Sequence, residues 1–138
     1  MKIKLLTLSI ICIFGMALGA WIIRPSLDKE VNSKSVIVTD ALKLEIVSNQ
    51  PVAAVMHENS FTIKLTDRIG HPVERAEIDV HLRMPSMFCG SIPTTVEERT
   101  PGEYLVRGIP VMHGGWQAEV KLTALNHTLS ASHPFIAK

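Results

Sequence analysis

Two cysteines in 138 residues are too few for a disulfide framework. One of them, Cys12, falls inside a long apolar run, which leaves Cys89 without a partner for an intradomain bridge. Excess charge is missing too: 14 Lys and Arg against 13 Asp and Glu give a net charge of +1. A protein that grips phosphate backbones needs a concentrated basic face, so nucleic acid is set aside as a partner. The chain contains no internal repeats and no low-complexity tracts. The usual catalytic patterns are absent as well. His57-Glu58-Asn59-Ser60-Phe61 lacks the second histidine of a zinc-protease helix, and no nucleophile elbow occurs. Gly114-Gly115 is not followed by the lysine and helix of a phosphate-cradling loop. The acidic residues mostly take outward positions on strand-like segments, the pattern of a solvated face, and the chain reads as a non-enzymatic protein.

What is present begins with Leu5 to Ile23, a run of nineteen residues without a charge. As a helix it would span about 28 Å, close to the hydrocarbon thickness of a bilayer. Lys2 and Lys4 precede it, which by the positive-inside tendency leaves the N-terminus in the cytoplasm and the rest of the chain outside. Trp21 then sits at the outer interface and Arg24-Pro25 ends the helix. The expectation is one N-terminal transmembrane helix, a single-pass protein of the cell membrane with its domain on the exocytoplasmic side. Ala17-Leu18-Gly19 also fits the small-x-small site of a cleaved signal peptide, although a signal h-region is usually shorter than this run. The chain therefore divides into residues 1–24, an anchor or signal segment, residues 25–35, a polar tether, and residues 36–138, one domain with one core.

Beyond the tether, apolar residues recur with a period of two, as on half-buried strands. Leu42, Leu44 and Ile46 alternate with Lys43 and Glu45; Phe61, Ile63 and Leu65 alternate with Thr62 and Lys64. Ala76, Ile78, Val80 and Leu82 give the cleanest alternation, and Trp116, Ala118, Val120, Leu122 and Ala124 form a long strand. Residues 92–98, the stretch through Tyr104 and Val106, and Thr128 to Ile136 supply the others. About seven short strands and no helix outside the membrane predict an all-β fold, an immunoglobulin-like antiparallel β-sandwich. If successive strands alternate in direction, the turns at 84–91 and 108–115 lie at one pole with His57 and the end of the last strand near His133. The turn from Asp67 to Pro72 and Asn126-His127 then lie at the other.

Those two turns hold the chain's unusual chemistry. Met84-Pro85-Ser86-Met87-Phe88-Cys89-Gly90 and Met112-His113-Gly114-Gly115-Trp116 concentrate thioether, thiol and imidazole groups, soft donors that suit copper(I) better than a hard cation. The candidate ligands are Met87, Cys89, Met112 and His113, with Met84 in support. Each also has a structural reading. Met84 continues the inward phase of Leu82, and flexible methionine often fills gaps beneath loops. Cys89 serves equally well as a small buried apolar residue. Trp116 reads as core, and the remaining histidines lack metal-ligand spacing among themselves.

Taken in order, Glu58-Asn59-Ser60-Phe61, Asp67-x-x-Gly70-x-Pro72-Val73, Ala76, Met84-Pro85-x-Met87, Gly102-x-Tyr104 and Met112-x-Gly114-x-Trp116 resemble the YtkA-like/FixH-like family of small, membrane-anchored exocytoplasmic β-sandwich proteins of bacteria. The resemblance covers about residues 42 to 124. It implies an immunoglobulin-like fold and an association with copper delivery and respiratory oxidase assembly, with an envelope metalloprotein or oxidase subunit as partner. Cys89 stands where relatives carry Met or His shortly after the Met-Pro-x-Met turn. The alternative function, from a different class, is an interaction or scaffold domain in a cell-envelope complex whose Met-Pro-x-Met turn is purely structural.

Overall fold

The computed structural model describes residues 34–88 and 90–138. The expected transmembrane run, all of the expected tether before Lys34, and Cys89 lie outside the described residues. Within them the regular elements are β1 Lys34–Val38, β2 Leu42–Ser48, β3 Asn59–Asp67, β4 Glu77–Arg83, β5 Ser91–Pro93, β6 Thr95–Thr100, β7 Glu103–Gly108, β8 Gly114–Ala124 and β9 His127–Ala137. They form two antiparallel sheets, one ordered β1-β2-β3-β7-β6 and the other β5-β4-β8-β9. The domain is an all-β sandwich, as the alternation predicted.

The strand count differs from the predicted seven, and both additions have a physical reason. β1 begins at Lys34, inside the stretch whose composition marked it as tether; Val36-Ile37-Val38 is consecutive rather than alternating, so a period of two does not reveal it. The segment expected as a single strand over 92–98 is divided. β5 pairs with β4 through His81↔Pro93 and Arg83↔Ser91, and β6 crosses to pair with β7 through Thr95↔Arg107. Thr94 makes the step between sheets, its Oγ1 donating to the Val80 carbonyl at 2.8 Å. Pro93 has no N–H to extend the ladder, which favours the break at this point.

The inner faces carry the residues that alternation singled out. Leu42, Leu44, Ile46, Phe61, Ile63, Leu65, Val80, Leu82, Tyr104, Val106 and the β8 series from Trp116 to Ala124 are all buried. Trp116 stacks on Phe135 of β9, and Phe135 meets Phe61 of the other sheet edge-on, so the aromatics bridge the two layers. Most buried polar side chains are paired, as burial demands, His81 Nδ1 being an exception among the described residues. The Tyr104 hydroxyl donates to the Val73 carbonyl at 2.9 Å and accepts from the Ala76 N–H at 3.0 Å. Asn59 accepts from the Ala54 N–H and donates to the carbonyls of Ala54 and His57, which fixes the loop before β3.

The ladders also settle which loops share a pole. Ser48 pairs with Phe61, Asn59 with Gly108, Arg83 with Gln117, and Gly114 with Ala137. Residues 49–58, 84–88, 90–91, 109–113 and the end of β9 therefore lie together, while the turn after Asp67, Pro101-Gly102 and Leu125-Asn126 lie at the other end. β5 and β6 run in the same direction as one pass of the chain while the other consecutive strands alternate, so the sequence count, which took 92–98 as one strand, held although the strands do not pair as simple hairpins.

Candidate functional site

The two donor-bearing turns are adjacent because β4 and β8 are neighbours: Leu82↔Ala118 and Arg83↔Gln117 close the ladder just before Met84 and just after Trp116. The contact is direct. A Cβ placed on Gly114, whose φ is +136°, would lie 3.0 Å from Cε of Met84, so the methionine of one turn packs on the glycine of the other. The Trp116 indole N–H donates to the Met112 carbonyl at 2.9 Å and binds that turn to the start of β8. The Met87 N–H closes the first turn onto the Met84 carbonyl at 3.2 Å.

The candidate residues differ in what they present. Met84 is buried, only 5% exposed, and is part of the core. Met112 is half-buried against the core, while Met87 and His113 are exposed. Met87 lines an open depression of about 360 Å³ together with Arg83, Phe88, Gly90, Ser91 and Glu119. The Arg83 guanidinium donates to Glu119 there at 3.3 Å.

A third loop joins the same pole. The Met56 N–H donates to the Pro110 carbonyl at 2.8 Å, and Val55 and Ala53 bond to the end of β9. Met56 and His57 are both exposed, so a thioether and an imidazole stand beside the two turns. His57 was assigned to this pole by strand direction. Met56 was missed; its sign in the sequence is adjacency to His57 just ahead of β3.

His133 belongs elsewhere. It lies within β9 opposite Ala118, fully buried, with Nδ1 2.7 Å from Ser35 Oγ and Nε2 2.8 Å from Ser48 Oγ. Burial pushes its pKa below the ordinary value by disfavouring the charged ring. It links β9 of one sheet to β1 and β2 of the other and is a structural histidine.

Among the described residues, no three His, Cys, Asp or Glu groups stand together as a metal cluster. Exposed Met87 and His113, with half-buried Met112, provide sulfur and nitrogen donors of the kind copper(I) accepts, and in that respect the residues present fit the metal. Met84, enclosed in the core, does not share their access to solvent.

The sequence model of the YtkA-like family matches residues 38–121. No curated protein matches the chain. Among solved structures, a DUF4426 family protein from Pseudomonas aeruginosa superposes with a TM-score of 0.58 at 13% identity, over 75% of this chain and 94% of that one. A DUF4785 family protein from Legionella pneumophila gives 0.52 at 13% identity, over 70% of this chain and 28% of that one. The Lin-41 filamin domain gives 0.51 at 11% identity, over 78% and 94% respectively. At these identities the likeness is one of fold.

Proposed function

The chain belongs to the YtkA-like family, and from that premise we propose that it is a membrane-anchored, exocytoplasmic, non-enzymatic module that binds copper(I) for copper delivery or respiratory oxidase assembly. We read the module as immunoglobulin-like because β2-β3-β7-β6 against β4-β8-β9 follows the four-plus-three order of that sandwich, with β1 and β5 as added edge strands. Met87, Cys89, Met112 and His113 hold the metal, and Met84 acts beneath them as packing. The observation that carries this reading is the convergence of the two soft-donor turns at one pole, with Met87 and His113 facing solvent there. Bound copper(I) would supply the cargo; the protein's own part is to offer soft donors on a turn pair fixed by the core.

X-ray absorption at the copper edge of the copper(I)-loaded full chain tests it. Sulfur and nitrogen scatterers are expected in the first shell, with the sulfur contribution reduced in Met87→Leu. A shell of light atoms alone, unchanged by the substitution, would overturn the assignment. The second reading, a scaffold domain in an envelope complex, draws support from the burial of Met84, which makes that half of the Met-Pro-x-Met turn a packing element.

A further inference from the structure

The pole that carries the soft donors also carries most of the domain's exposed large apolar side chains. Val52, Met56, Met87, Phe88, Ile109 and Val111 all project there, and Phe88 is fully exposed. The opposite pole has Ile69 and Leu125, with Val38 at the end of β1 beside it. Single exposed apolar residues are ordinary, but three adjacent loops all tipped with them form a patch of the kind that contacts another apolar phase.

The patch is preformed. Backbone bonds from Met56 to Pro110 and from Val55 to Lys138 tie the 49–58 loop to the 109–113 loop and to the end of β9, and the Met87 N–H closes the 84–88 turn onto Met84, so docking has little chain to order in the first two loops. Its acidic neighbours are paired: Glu58 lies 3.6 Å from the Arg107 guanidinium and Glu119 lies 3.3 Å from that of Arg83, which reduces repulsion from an anionic surface.

The described chain starts at this same pole. Lys34 pairs with Val47, one residue from Ser48 and its partner Phe61, so β1 sets out from the apolar end of the sandwich. Ten residues separate Ile23, the end of the apolar run, from Lys34. Fully extended they reach about 35 Å, so a run anchored in the bilayer keeps this pole close to the lipid at high effective concentration.

We propose that the pole formed by the 49–58, 84–88 and 109–113 loops docks on the surface of the lipid bilayer, with Phe88 and the neighbouring aliphatic side chains in the interfacial layer. Aromatic and aliphatic loop tips with basic side chains nearby are what that layer accepts. The proposal rests on the membrane-anchor reading. It does not depend on copper, and it sets the donor turns at the membrane interface.

The test uses the full chain in vesicles of phosphatidylethanolamine and phosphatidylglycerol, with Cys12→Ser and Cys89→Ser as background. A nitroxide is attached at Met56→Cys or Ile109→Cys on the proposed face, or at Ile69→Cys or Leu125→Cys on the opposite pole. Collision with a water-soluble nickel chelate should fall several-fold, and collision with oxygen rise, at Met56 and Ile109 but not at Ile69 and Leu125. Phe88→Asp should restore part of the lost chelate access. Retention in the vesicles through alkaline carbonate with equal chelate access at both poles would overturn the docking and leave the patch to a protein partner. Protection that disappears when the chains are diluted below one per vesicle would assign the face to a second copy, and also overturns it. Release of the chain by carbonate would instead mean that the anchor reading had failed.

Discussion

At the scale of single residues, four methionines within one pole have three kinds of surroundings. Met84 lies in the core beneath Gly114, Met112 is half-buried, and Met56 and Met87 are exposed. Met84→Ala should cost about 2–5 kcal/mol in denaturant unfolding, because it removes a buried side chain and leaves a cavity. Met87→Ala should stay within about 0.5 kcal/mol, as for an exposed turn residue. Equal losses would show that Met87 packs rather than presents its sulfur. His133 gives a second expectation. Its folded pKa lies below the ordinary 6.5, so the unfolded chain takes up the proton more readily. Its contribution is full above about pH 6.5 and is lost as pH falls below that value toward the lowered folded pKa. Unfolding midpoints at about pH 7.5 and about pH 5.5 should therefore differ more for the wild type than for His133→Gln. The sequence foretold the inward phase of Met84 through Leu82, but the role of His133 depends on Ser35 and Ser48, 98 and 85 residues away, and no local pattern reports such a pairing.

At the scale of elements, alternation identified the strands that bury one face, missed β1, and read β5 and β6 as the single strand 92–98. β2, β3, β4, β7 and β8 each set apolar residues inward at every second position, so their inner faces were legible. β1 is an edge strand of consecutive valines and isoleucine, and β5 and β6 bury little of either face. The turn between β6 and β7 is set by Gly102: its φ is +72°, and an added Cβ would lie 2.7 Å from the Leu65 carbonyl oxygen and 2.7 Å from Cβ of Pro72. Gly102→Ala should lower stability by more than about 1 kcal/mol, since backbone conformation and space both oppose the methyl group. Tyr104→Phe should cost about 1–3 kcal/mol by thermal or chemical unfolding, because the Val73 carbonyl and the Ala76 N–H both lose a buried partner. A neutral Tyr104→Phe would mean that water replaces the hydroxyl and that this end of the sandwich is open.

At the scale of the whole molecule, strand direction alone predicted that the turns at 84–91 and 108–115 share a pole, because parity depends on the number of passes of the chain, β5 and β6 making one, and not on which strands pair. The depth of each side chain was not legible in this way: exposure of Met87 and enclosure of Met84 depend on how the β4–β8 ladder ends against Gly114. The third loop, with Met56 and His57, joins through a backbone bond to Pro110 that spans distant parts of the chain. The central claim is that this pole holds copper(I), and competition of the full chain, in detergent micelles, against a copper(I) chelator of known affinity tests it most directly. One copper(I) per chain is expected, bound more weakly by Met87→Leu, Cys89→Ser or His113→Gln and more weakly still by the triple variant. Metal-free unfolding should stay nearly unchanged in Met87→Leu, a volume-conserving swap. Wild-type affinity no greater than that of the triple variant would contradict the account.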